Sequence, residues 1–189
     1  MRRGDLSKLC RRLGSLRIEY VLVGGMAVEL AGYRTGTEDV DPVVTMSQFS
    51  RSLSKLSKDR MFRNVEELST IGGAQFYTGD RWVDVDFINP RLFKGRRTGD
   101  EFVSYIRRYR SRKTRWGHVA GPEVTWYMRL CVPDWLIYVQ KIIRDVRAGV
   151  PEDVLEKSLG IARALGVHGE IAARVRKVRQ VLSTTRWGP

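Results

Sequence analysis

Asp39 and Asp41 stand two residues apart, and so do Asp84 and Asp86. On extended chain that spacing sends both side chains of a pair to the same face. If two such strands are neighbours, up to four carboxylates meet on one surface, where their repulsion raises pKa values and destabilises the fold unless a cation joins them. An all-oxygen donor set suits Mg²⁺ or Mn²⁺, and two such ions can activate a hydroxyl and stabilise a leaving pyrophosphate. Ahead of the first pair, Gly24-Gly25 lies between "RIEYVLV" and "MAVELAGY". Glycines at a strand-to-helix turn let the backbone approach a phosphate, and the helix start directs free N–H groups at the anion. The segment is neither a Walker motif nor GxGxxG. An ordinary tight turn and a surface DxD pair account for the same residues without chemistry, so the surrounding elements have to decide.

The chain has 189 residues and 34 Lys and Arg against 21 Asp and Glu, for a formal charge of +13. That length supports one sizeable domain or two small ones. A hydrophobic content of 42% with five Trp argues for a folded chain. The charge predicts an acidic partner, nucleic acid ahead of membrane, because basic surface gains by releasing counterions from phosphates. Cys10 and Cys131 form no CxxC pair, and His118 and His168 are the only histidines. These argue against a disulfide framework, a zinc site and a Cys-His nucleophile. The basic first residues lack an apolar core, and no apolar run approaches membrane-spanning length. The expectation is a soluble, cytoplasmic protein with no membrane partner.

Leu6, Leu9, Cys10 and Leu13 follow helical spacing, with Gly14 as a stop. "RIEYVLV" reads as a strand and "MAVELAGY" as a short helix ending near Gly32. "EDVDPVV" reads as a second strand, in which Pro42 suggests an edge or a bulge. Ser47 can cap a helix carrying Phe49, Leu53 and Leu56. "AQFYTGDRWVDVDFI" has the pattern of a hairpin turning at Gly79-Asp80. Phe102, Tyr105, Ile106 and Tyr109 are at helical spacing, and "EVTWYM" reads as a further strand. Pro133 and Asp134 then start a helix that Gly149 ends, and two more helices follow. Strands concentrate in the first half and helices in the second. The expected class is α/β (α+β), a mixed sheet flanked by helices over residues 1–120, then a helical part over 121–189.

Strand, "GG", helix, an R-x-T-like stretch, DxD, a later strand with another Asp, and a Pro-Asp helix carrying a Lys together resemble the DNA-polymerase-β-like nucleotidyltransferase superfamily. The nearest look-alikes are its minimal nucleotidyltransferases and the toxins of the AbiEii type. The resemblance spans about residues 18 to 155. It implies that Gly24 and Gly25 hold the NTP triphosphate and that Asp39 and Asp41 bind two Mg²⁺ (or Mn²⁺). A third metal carboxylate would be Asp86 or Asp84, with Asp86 preferred because two apolar residues, Phe87 and Ile88, follow it. Arg34 and Thr37 fall in the nucleotide-binding stretch before the acids. Lys141, with Arg144 one turn on, would meet the phosphates. Arg34 is one residue further from Thr37 than is usual, Pro42 replaces a branched residue, and Glu38 is an additional acid.

Residues 91–115 hold ten Arg or Lys against Asp100 and Glu101, a net of +8. Arg96, Arg97, Arg107, Arg108, Arg110, Arg112, Lys113 and Arg115 are the candidate RNA contacts, with Tyr105, Tyr109 and Trp116 able to stack on bases or fill core. NTP alone does not call for so much charge. A polynucleotide acceptor does, and tRNA is the most economical choice. The expected function is metal-dependent transfer of NMP from NTP to an RNA hydroxyl at the tRNA 3′ end. The resemblance adds a toxin role with a cognate antitoxin as partner. The alternatives are a non-catalytic nucleic-acid-binding or antitoxin-like module on the same fold, and a small-molecule (antibiotic) nucleotidyltransferase, which needs an acidic pocket for a cationic substrate.

Overall fold

The computed structural model describes residues 1–68, 71–90 and 99–184. Helix α1 (Arg3–Ser15) buries Leu6, Leu9, Cys10 and Leu13 along one stripe. Strand β1 (Val21–Val23) passes directly into helix α2 (Gly24–Leu30), and β2 (Asp41–Val43) and helix α3 (Met46–Ser57) follow. Three strands, β3 (Phe62–Glu67), β4 (Ile71–Tyr77) and β5 (Trp82–Ile88), form a meander. Helix α4 (Gly99–Tyr109) leads to the hairpin β6 (Ser111–Thr114) and β7 (Gly117–Ala120). Four helices complete the described chain: α5 (Pro122–Cys131), α6 (Trp135–Arg147), α7 (Val154–Ala164) and α8 (His168–Thr184).

The strands form one mixed sheet in the order β3-β4-β5-β2-β1-β7-β6. Among the described strands, only β2–β5 and β1–β7 run parallel. The architecture is the expected mixed α/β class. Two cores sandwich the sheet. Val83, Val85 and Phe87 of β5, with Leu22, pack under α1 and α3 against Leu9, Leu13, Phe49 and Leu56. Val21, Val23 and Val43 point the other way and pack with α4 and the C-terminal helices, among them Phe102, Trp126, Ile142, Leu155 and Val175. The last strand ends at Ala120 and four helices follow from Pro122, their core shared with the sheet. Among the described residues no helix is long and apolar enough to cross a membrane.

Four local expectations change. "EVTWYM" is helical within α5: Pro122 occupies the first turn, and burying Trp126, Tyr127 and Leu130 outweighs the strand propensity of Val, Thr, Trp and Tyr. Pro42 is at no edge, since β2 lies between β5 and β1. Its missing N–H shows instead as a gap in the ladder. Val40 exchanges backbone bonds with Asp84 and Asp86, and pairing resumes only at Val43–Ile88. "RIEYVLV" keeps strand structure only over its last three residues, after Arg17 adopts φ 53°. Ser47 sits inside α3, and the helix's first amide, that of Met46, donates to the Asp100 carboxylate of α4.

Candidate active site

Alternation along β5 and the stretch before β2 places Asp39, Asp41 and Asp86 on the sheet face that carries the C-terminal helices, and all three line one pocket. Asp41 sits deep: burial first, then the charges of Asp86 and Asp39, pushes its pKa up to about 7, while Lys141 and Arg129 pull it back. Asp86 is raised by burial and by Asp39 and Asp84, with Lys141 opposing. Asp84 lies outside the pocket, in a shallow groove that Asp39 and Asp86 also border. Its carboxylate accepts a bond from Gln75 Nε2 at 2.9 Å.

The glycine pair does more than leave room for an anion. Gly24 has φ +68°, and a Cβ there would lie 1.8 Å from Asp41 Oδ2. One on Gly25 would lie 2.7 Å from Thr37 Cβ. The turn is therefore bare so that Asp41 and Thr37 can sit against it. Two side chains not singled out in the sequence hold this corner. Thr125 of α5 donates to the Gly24 carbonyl at 3.2 Å. Glu29 of α2 accepts the Thr37 amide at 3.0 Å and the Thr35 hydroxyl at 3.4 Å, bracing the loop that leads to Asp39. Arg34 of that loop is exposed and does not line the pocket, whereas Thr37 does.

Opposite the carboxylates stand Lys141 and Arg144 of α6, together with Arg129 of α5. The Lys141 ammonium lies 5.2 Å from the centre of the Tyr138 ring. Arg129 is 7% exposed and ion-paired with the fully buried Asp145, whose Oδ2 also accepts Trp126 Nε1 at 2.9 Å. Asp145 Oδ1 has no hydrogen-bond partner among the described residues and faces the Arg144 guanidinium at 3.8 Å. A buried pair of this kind costs desolvation that apolar residues would avoid. What it does here is hold a cation rigidly across from Asp41. Ile71, Ile88, Met128, Val132 and Tyr138 supply an apolar side to the same pocket.

Among the described residues of the basic segment, several cations are engaged within the protein. Arg96 and Arg97 fall outside the described residues. Arg107 pairs with Glu19 at 2.6 Å, Arg110 donates to the Tyr105 hydroxyl at 3.3 Å, and Arg112 donates to the Leu30 carbonyl at 2.5 Å. Arg115 lies over the Trp116 ring, and Trp116 is tied to α1 through Ser7. Arg108 and Lys113 are exposed. Tyr105 packs against the core, while Tyr109 is exposed beside it.

Among the described residues no three His, Cys, Asp or Glu side chains converge into a ready-made cage for a metal ion. The donors available are carboxylates on one wall of an open pocket. Mg²⁺ is commonly held that way, through one or two carboxylates, waters and substrate phosphates. No protein-family model and no curated protein matches the chain.

Proposed function

We propose that the protein is a metal-dependent nucleotidyltransferase, acting in the cytoplasm, that moves NMP from NTP to a hydroxyl, with the tRNA 3′ end as the acceptor favoured by the +13 charge. The observation that carries the reading is the polarised pocket: Asp39, Asp41 and Asp86 on the sheet wall face Lys141, Arg144 and Arg129 on the helix wall. Arg129 is already neutralised by Asp145, which leaves the pocket slightly negative. Two divalent cations and a nucleoside triphosphate bring nearly balancing charges, so loading the pocket adds little net charge.

Mg²⁺ or Mn²⁺ held by Asp39, Asp41 and Asp86 would supply Lewis-acid stabilisation of the phosphoryl oxygens and lower the acceptor hydroxyl's pKa. Lys141 and Arg144 bind the β- and γ-phosphates and align the α-phosphorus for in-line attack. The acceptor oxygen forms a new bond to that phosphorus, the bond to the bridging oxygen breaks, and pyrophosphate departs. The acceptor proton leaves through Asp86 to solvent. Thr37 and the Gly24-Gly25 turn keep Asp41 in register. The resemblance adds a toxin role with a cognate antitoxin as partner.

The carboxylate-edged groove beside Asp86 favours a second reading of the acceptor, a cationic, hydroxyl-bearing small molecule. Incubation with total RNA or with an aminocyclitol, each labelled NTP, and Mg²⁺ or EDTA separates the two. Metal-dependent label on RNA that is absent from the Asp41→Asn variant supports the first. Label on the aminocyclitol alone moves the acceptor assignment to the second, and label on neither sinks the transferase reading.

A further inference from the structure

Beyond the pocket the sheet face stays open. The groove that shares Asp39 and Asp86 with the pocket runs outward across β5, β4 and β3, past Gly73, Gln75 and Asp84 to Asn64. A bulge shapes its far edge. Strand β3 slips register against β4 between Arg63 and Glu66, with Asn64 at φ 50°. The slip lets two consecutive side chains reach the same face. Arg63 Nε and Asn64 Nδ2 each donate to Gln75 Oε1 at 3.0 Å, and Gln75 passes a bond on to Asp84. The Arg63 guanidinium lies 3.9 Å from the centre of the Trp82 ring, and that ring lies 5.1 Å from Tyr77, which is 36% exposed. An arginine–aromatic platform thus adjoins a polar groove, and the groove ends at the carboxylates.

We infer that this track binds the single-stranded end of a polynucleotide acceptor. Trp82 and Tyr77, backed by Arg63, take a base by stacking, which every base allows because each has a π-face. Gln75, Asn64 and Asp84 take the hydroxyls of the terminal ribose, which both donate and accept hydrogen bonds. The free 3′ hydroxyl then reaches Asp86 and Asp39, a last step that rests on the nucleotidyl-transfer reading. Glu66 and Asp84 repel phosphate, so the groove suits a terminal sugar with its one phosphate held outside, beside Arg63. A small cationic acceptor would use the groove's carboxylates but leave the arginine–aromatic platform idle. None of these residues belongs to the basic segment 91–115. The proposed track is thus separate in sequence from that segment.

The probe is a labelled single-stranded RNA of about 12 nucleotides, within the usual site size, ending either in a 2′,3′ diol or in a 3′-phosphate. The diol form should bind more tightly. Trp82→Ala and Arg63→Ala should each weaken it by about 5- to 100-fold, the loss of one stacked base, with cooperative thermal unfolding retained. If Trp82→Ala does not fold, Arg63→Ala and Tyr77→Ser, both at exposed positions, carry the test. Unchanged RNA affinity in folded variants overturns the inference. So does competition for the groove by an aminocyclitol that the RNA cannot displace. RNA bound through Trp82 with no Mg²⁺-dependent NMP incorporation would sink the transferase reading and leave the platform standing. Incorporation into RNA that ignores Trp82 and Arg63 would do the reverse.

Discussion

On one side of β5, Val83, Val85 and Phe87 are sealed under α1 and α3; on the other, Asp84, Asp86 and Ile88 face the groove and the pocket. The two sets alternate residue by residue, so the same seven-residue strand serves both. The apolar side gains from burial. The acidic side is held in a geometry that its own repulsion opposes, because the strand it shares is fixed from behind. Stability and site are therefore separable here by the parity of the residue number.

The sharpest way to break that comparison is to exchange the effects. Asp41→Asn and Asp86→Asn should abolish NMP transfer with thermal stability unchanged or raised, whereas Phe87→Ala should cost about 3–5 kcal/mol of stability in denaturant unfolding. An Asn variant that keeps its activity in saturating Mg²⁺ would refute the metal assignment. Next comes Gly24→Ala. Its Cβ would collide with Asp41, and displacing that carboxylate by roughly 1 Å should lower kcat by about 10²-fold in steady-state assays.

The acidic face should also betray itself through pH. Asp41 is raised from 3.8 to about 7 in the folded chain, so the native state holds a proton that the unfolded chain releases. Without metal, stability is then highest below about pH 4 and falls as pH rises towards 7. The expected loss is on the order of 4 kcal/mol, about 1.4 kcal/mol for each pKa unit, and Asp41→Asn should flatten it. Urea midpoints between pH 4 and 8 in EDTA measure this. A smaller split is expected within the acids themselves. Asp86→Asn should destroy kcat, whereas Asp84→Asn, bonded to Gln75 in the groove, should mainly raise KM for the acceptor. An inactive Asp84 variant beside an active Asp86 variant reverses the choice of third carboxylate.

The smallest effect concerns the basic segment. Neutralising Arg107, Arg108, Arg110 and Arg112 together would lower the salt slope of RNA binding by about 2.8 if each met a phosphate. Three of them already have internal partners, so a change nearer one contact, about 0.7, is expected. A full change would restore the segment as the RNA surface.

Elements with strong period or punctuation were legible in the sequence: α1 from its leucines, the β4–β5 hairpin from Gly79-Asp80, and α6 between Pro133 and Gly149. Strand β3 was not, because "FRNVEE" buries only its first residue fully and is bulged, so no alternation survives. The β6–β7 hairpin was hidden by its own charge, four-residue strands reading as part of a basic run. Of the pocket, the shared face of the paired aspartates could be read from spacing, while Lys141 was reached only through the family resemblance. Arg129 and Asp145 could not be read, being 16 residues apart and ordinary as charges. The available signal was context: a lone Arg within "WYMRLCV" and an Asp on the apolar face that Ile142 and Ile143 continue. Glu29 carried no such mark, because its role depends on where the Thr35–Thr37 loop folds back.

Strand β1 pairs with β2 about twenty residues on, but its other neighbour is β7, where Val21 lies opposite His118. Closing a loop of that length is slow compared with forming the local β3–β4–β5 meander. During synthesis the meander can form early, while one edge of β1 waits for nearly a hundred residues to emerge. Lys141 and Arg129 arrive later still. The half-made chain exposes its carboxylates without their opposing cations, and the two-walled pocket is complete only after the sheet has closed.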